Sequence, residues 1–228
     1  AQAEVIDSWL EDRIQNLLPG LMTETGIDMW IVMSREYNED PVIRTLLPAT
    51  WHAARRRTML VLYKTPGSTT VETYAVARYD VGKSFKKAWD PDTQPDQWKR
   101  LSELIVEKNP KKIGLNIAKD FGHADGLNVT EYNTLKSYLP ENFQSKITSA
   151  QNLAVGWLET RTSSEMATYR HLQTIANDII ADGLSEEVIT PGVTTTDDVV
   201  WWYRERIKEL KLDTWFHPSV DIQRADPA

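Results

Sequence analysis

Met29-Trp30-Ile31-Val32-Met33 is an unbroken apolar run bounded by Asp28 and Ser34. A run this short, without polar alternation, reads as a buried strand of the kind found inside covered sheets. Thr58 to Tyr63 repeats the pattern, and the turn residues Thr65-Pro66-Gly67-Ser68 lead into a further segment, Val71 to Ala77. Those two segments predict an antiparallel hairpin.

Around the strands the period becomes helical. Val5 to Leu18 places Ile6, Trp9, Leu10, Ile14, Leu17 and Leu18 on one stripe, which Pro19-Gly20 is expected to close. Pro91 to Pro95 is loop-like. Trp98, Leu101, Leu104 and Ile105 then mark an amphipathic helix ending near Asn109-Pro110. Lys112 to Ile117 reads as a strand, and Thr130 to Leu139 as a helix with Tyr132, Leu135 and Leu139 on one face, closed by Pro140. Alternating helix and strand over the first ~155 residues predict an α/β domain built on a mixed sheet.

The chain has 228 residues, 41% of them hydrophobic and 26% charged, which excludes a disordered polypeptide and accommodates one large domain or two smaller ones. No stretch approaches the roughly 18 apolar residues of a membrane span, so no membrane contact is expected. A net charge of −7 with no long basic block argues against nucleic acid. Arg55-Arg56-Arg57 is the only basic triplet and reads as a solvated face. Cysteine is absent, which excludes disulfides, Cys-bound zinc, iron–sulfur clusters and thiol catalysis. The start, Ala1-Gln2-Ala3-Glu4, lacks Met, as a mature exported chain would after leader cleavage. The expectation is therefore a periplasmic or secreted protein, with a cytoplasmic one as the alternative.

Character changes after Trp157. Thr162-Ser163-Ser164-Glu165 is a capping-box pattern opening a helix with Met166, Tyr169, Leu172, Ile175, Ala176 and Ile179 predicted inward. Thr190-Pro191-Gly192 interrupts, and Thr194-Thr195-Thr196-Asp197-Asp198 caps a second helix lined by Val199, Val200, Tyr203, Ile207 and Leu210. Thr214 to Ile222 reads as extended. From Leu158 onward there are 13 acidic and 7 basic residues, against 20 and 19 before it, so nearly all the net charge lies in the second part. Two helices with wide apolar faces and a single strand, carrying Trp201, Trp202, Trp215 and Phe216, read as half of a domain.

The four histidines, His52, His123, His171 and His217, are scattered, and no HExxH motif, calcium loop, GxSxG elbow, GxGxxG or Walker loop is present. His171 reads as a surface or half-buried helical residue. His123 sits in a Gly-bearing turn, Phe121 to Gly126. His217, between Phe216 and Pro218, is a candidate ligand or substrate contact. Asp221 and Asp226 alone make a poor transition-metal site. The nine tryptophans read as core or interface residues. Composition and spacing alone reveal no catalytic constellation.

Arg161-Thr162-Ser163-Ser164-Glu165, followed by Met166-Ala167-Thr168-Tyr169-Arg170 and a helix to Ile180, resembles the opening of the pita-bread metallopeptidase domain of creatinase, prolidase and aminopeptidase P. Pro191-Gly192-Val193-Thr194 through Val199 resembles that family's PG-x-T turn, and Trp215-Phe216-His217-Pro218-Ser219-Val220 its first catalytic strand. The preceding α/β region is similar to the creatinase-type N-terminal domain. The resemblance implies such a domain over residues 1–157, then the first two helices and first strand of a truncated pita-bread domain over 158–228. It also implies, for a full-length relative, two divalent metal ions (manganese, cobalt or zinc) activating water against a peptide bond, often one preceding proline. The family's ligands are two Asp, one His and two Glu, and none maps onto this chain. The resemblance therefore assigns no catalytic residue and no metal ligand here, and the chain alone is expected to be inactive and metal-free. Family members dimerise with an N-terminal domain bordering the partner's active site. Trp51 and His52, before the strand at Thr58, are candidates for that border, as is His217. The expected partners are a peptide substrate in a full-length form and a second copy of the chain. The alternatives are a non-catalytic binding or dimerisation module and an unrelated hydrolase using His123 or His217.

Overall fold

The computed structural model describes residues 1–214 and 216–223. The chain divides into two compact units, Ala1–Thr162 and Ser163–Ala228.

The first unit is built on a six-stranded sheet of order β4-β3-β2-β1-β5-β6: β1 Met29–Arg35, β2 Arg57–Tyr63, β3 Glu72–Ala75, β4 Lys86–Lys87, β5 Ile113–Leu115 and β6 Ile147–Ser149. Strands β1 and β2 are antiparallel, in a register that sets Met29 opposite Tyr63 and Arg35 opposite Arg57, while β5 lies parallel on the other side of β1. The predicted hairpin is present, with β2 antiparallel to β3. The central strand is buried on both faces. Trp30 and Val32 enter one core with Leu10, Leu18 and Met22, and with Leu153 and Trp157 of α6 (Gln151–Glu159). Met29, Ile31 and Met33 enter the other with Leu101 and Ile105 of α3 (Gln97–Lys108) and with Leu135 of α4 (Val129–Tyr138). Each such side chain contributes about 1.5–3 kcal/mol, which makes the unpunctuated run the organising element of the sheet.

Caps fix the helix starts. Asp96 accepts from the Trp98 and Lys99 amides at the head of α3, and Asn128 accepts from the Glu131 amide at the head of α4. Asn109, at φ 45°, ends α3 before Pro110. A short α5, Glu141–Gln144, leads into β6.

The expected stop at Pro19-Gly20 does not occur. Helix α1 (Gln2–Asp12) widens into a π-turn over Arg13–Leu17 and resumes as α2 (Leu18–Thr25), ending at Gly26 with φ 66°. Pro19 follows the π-turn directly, in backbone that stays helical through Leu17 and Leu18; it gives the ladder no N–H, and the wider turn before it gives its ring room that a regular α-turn would not. The same segment buries Arg13, whose guanidinium donates to the carbonyls of Thr160 (2.8 Å) and Trp157 and lies 4.4 Å from the Trp157 ring. A cation thus meets the negative end of α6.

In the second unit, α7 (Ser163–Gly183) and α8 (Thr196–Glu209) pack through Ile179, Val199 and Tyr203. Thr195 caps α8: its hydroxyl accepts from the Asp198 amide at 3.2 Å, and the Asp198 carboxylate accepts from the Thr195 amide at 2.9 Å. A Cβ on Gly183 would strike the Tyr203 ring, so glycine is required at this crossing. Two expectations need correction. Met166, Tyr169 and Leu172 are 48%, 47% and 42% exposed and Ala176 is exposed too, so of the predicted stripe only Ile179 is buried and Ile175 half-buried. Among the described residues, Thr214 to Ile222 forms no strand. A strand needs a neighbour to complete its ladder, and the described residues of this unit hold no other. Trp215 and Asp226 lie outside the described residues.

Candidate functional site

Arg35 and Arg57 end the register between β1 and β2 as directly opposed like charges, an unfavourable cross-strand pair. Glu131 of α4 offsets it from beneath. Its carboxylate, only 2% exposed, is 3.2 Å from Nε of Arg57 and 3.7 Å from Nε of Arg35, and it also accepts from the Asn128 amide group at 3.1 Å. Gln97 of α3 holds the adjoining backbone by donating to the carbonyls of Arg57 (3.1 Å) and Val76 (2.7 Å).

Above this floor lies a concavity of about 950 Å³, lined by all five of Arg35, Arg55, Arg56, Arg57 and Arg78, with Glu36, Tyr37, Tyr79 and Trp89. The guanidinium of Arg55 is 5.7 Å from the Trp51 ring, that of Arg78 is 5.7 Å from Trp89, and that of Arg57 is 5.1 Å from Trp98. Trp51 meets Tyr79 edge-on at 5.7 Å. Burial pushes the Tyr79 hydroxyl above its ordinary pKa, while the charges of Arg55, Arg56 and Arg78 pull it back and Glu36 adds to the rise. Two residues here hold left-handed backbone without being glycine: Tyr37 at φ 70°, 92% exposed, and Arg56 at φ 53°. The Glu36 amide donates to the Arg56 carbonyl at 2.6 Å, which locks the two loops together. Such an arrangement can hold an anion.

A buried network lies deeper in the same unit. The Asp40 carboxylate accepts from the Asn116 side chain and from the Val42 amide, each at 2.8 Å. Asn116 in turn accepts from the Trp30 indole N–H at 2.8 Å, and the Asp40 amide donates to the Ser34 hydroxyl at 2.8 Å. Burial raises the Asp40 pKa to about 6 against the lowering effect of the Asn116 and Val42 bonds, and the Asp125 charge adds slightly to the rise. A Cβ on Gly126 would strike this carboxylate.

The sequence candidates are dispersed. Trp51 is half-buried at the edge of the arginine concavity, and His52 beside it is exposed. His217 is exposed in the second unit, as is His171, and His123 is exposed on a short turn, Gly122–Ala124. The arginine triplet is only partly a solvated face, since Arg57 is paired with buried Glu131. Arg35, Arg78, Tyr79 and Asp40 carried no signal beyond composition, because only the sheet brings them together. Among the described residues no group of three or more His, Cys, Asp or Glu side chains converges, so the residues present do not fit a dinuclear metal centre. Among the same residues no helix is long and apolar enough to cross a membrane.

No family model and no curated protein matches the chain. Among solved structures, it is similar to an Xaa-Pro dipeptidase from Bacillus anthracis, at 16% identity and a TM-score of 0.50, over 88% of this chain and 49% of that one. The chain thus spans about half the length of the structure it matches. The likeness bears on fold: the chain has an α/β, creatinase-like architecture.

Proposed function

We propose that these residues form the N-terminal portion of a metal-dependent Xaa-Pro peptidase of the pita-bread type. In this reading the first unit is its creatinase-type domain and the second holds the opening helices of its peptidase domain. The observation that carries the reading is the extent of the likeness. Coverage of 88% exceeds what the Ala1–Thr162 unit could supply alone, so the match runs on into the second unit while spanning only half of the other chain. The exposed apolar side chains of α7 support it, because helices with such a face ordinarily lie against a sheet. The metal ions and the peptide belong to the longer protein in this reading, and no step is assigned to a side chain of this one. In a dimer of that protein, Trp51 and His52 would border the partner's active site, and His217 would lie near the chain's own.

The test is an intact-mass measurement on the polypeptide as synthesised, followed by assays of Xaa-Pro hydrolysis with manganese, cobalt or zinc. The expected result is a mass above 26.1 kDa and metal-dependent cleavage by the long form only. Cleavage by the 228-residue chain, or stoichiometric metal bound to it, would overturn the reading. The uncovered apolar face of α7 equally favours a second reading, a non-catalytic pairing module. That reading predicts a mass of 26.1 kDa and a stable dimer by sedimentation.

A further inference from the structure

We propose that the concavity at the Arg35–Arg57 end of the sheet binds a small, multiply charged oxyanion, gripped by Arg55, Arg56 and Arg78 with the outer edges of Arg35 and Arg57. Five guanidiniums there stand against two carboxylates, Glu36 and Glu131, a local excess of three positive charges in a chain whose net charge is −7. The excess is directed. Arg35 and Arg57 both turn Nε to buried Glu131, so each keeps its two terminal nitrogens for another acceptor. Arg55 and Arg78 rest on the rings of Trp51 and Trp89, which orient a guanidinium without neutralising it, and neither has a carboxylate partner among the described residues. Arg55, Arg56 and Arg78, all solvent-exposed, line one concavity together with Tyr79. Left-handed backbone at Tyr37 and Arg56 is the kind of local strain that a binding site retains.

The chemistry selects the ligand class. Planar guanidinium forks match phosphate and carboxylate oxygens pairwise. The cluster is confined to one concavity of an acidic chain, and the described residues continue it into no basic track for a nucleic-acid backbone. Trp89 is buried and Trp51 half-buried, each with a guanidinium 5.7 Å from its ring, which leaves little aromatic surface for stacking a nucleobase. The inference concerns the first unit alone, and its test needs neither metal nor peptide, so it stands or falls apart from the peptidase reading.

The experiment is isothermal titration of the 228-residue chain, at constant ionic strength, with inorganic tripolyphosphate and separately with citrate. Saturable one-to-one binding is expected for at least one of them; tighter tripolyphosphate identifies a phosphate-bearing ligand, tighter citrate a carboxylate-bearing one. Arg55→Gln and Arg78→Gln should each weaken binding roughly tenfold, and Arg206→Gln in the second unit should not. Melting curves without anion verify that each variant is folded. If either melts lower than the parent, Arg56→Gln takes its place, since the Arg56 side chain makes no bond to the described residues. The proposal is overturned if neither anion binds saturably, or if the double variant Arg55→Gln/Arg78→Gln binds as the parent does.

Discussion

Replacing Asp40 by Asn should change how stability depends on pH, in a direction opposite to that of most protein carboxylates. Buried Asp40 has its pKa raised from 3.8 to about 6, chiefly by desolvation. Between those values the folded protein binds a proton that the unfolded chain has released, so stability falls as pH rises. This group's contribution is complete below about pH 4 and is lost by the time the pH has passed through 6. A shift of about two units at ~1.4 kcal/mol each corresponds to roughly 3 kcal/mol. The Asn variant cannot ionise. Its single amide oxygen can accept from Asn116 or from the Val42 amide but not from both, a cost that does not vary with pH. Subtracting the variant's stability from the parent's at each pH cancels every other titrating group and leaves Asp40 alone. Urea unfolding followed by circular dichroism at pH 4, 5, 6 and 7 should show the variant gaining on the parent by roughly 2.5 kcal/mol across the series, the rest of the change falling below pH 4. A flat difference, or one running the other way, would refute the argument that burial governs this carboxyl.

Two further perturbations probe the other load paths. Glu131→Gln removes the charge between opposed Arg35 and Arg57, which are partly exposed, and should cost about 2 kcal/mol; because the residual repulsion is screened, 1 M salt should restore part of the loss in thermal melting. Gly183→Ala drives a methyl group into the Tyr203 ring and should destabilise the α7–α8 pair by about 1–3 kcal/mol, seen as faster proteolysis within the second unit while the first is unaffected.

The sheet was legible because its signal is local. Met29 to Met33 and Thr58 to Tyr63 declare burial on both faces without reference to anything distant, and the Pro66-Gly67 turn between β2 and β3 settles their hairpin. Pro19 does not stop the helix because the π-turn over Arg13–Leu17 precedes it directly, and no local pattern announces that turn. The arginine concavity shows in the sequence only as the triplet Arg55-Arg56-Arg57, for a different reason. Arg35, Arg57 and Arg78 stand on successive strands or their exits, and Glu131 arrives from a helix more than seventy residues beyond Arg57. Like-charged residues carry no periodicity, so only the register of β1 on β2 makes them neighbours. The Asp40 network is hidden in the same way, since an Asp before Pro41 has the appearance of a turn residue until Asn116 and Trp30 close on it.

The second unit shows how a hydrophobic pattern and a buried surface come apart. Helices α7 and α8 satisfy their backbone hydrogen bonds internally, so they form wherever a few contacts such as Ile179 with Tyr203 hold them. A strand has no such independence, and the segment after α8 accordingly remains outside any ladder although Leu212 and Val220 still pack on the helix pair. What remains uncovered is specific: Met166, Tyr169 and Leu172 recur at helical spacing along one side of α7, each between 42% and 48% exposed. Covering such side chains contributes about 1 kcal/mol or more apiece. Period and polarity single out this side of α7 as apolar, and the structure leaves it exposed over its N-terminal half. Apolar spacing alone does not bury a helix face; that takes an opposing surface, and of the predicted stripe only Ile175 and Ile179 pack into the cluster with α8.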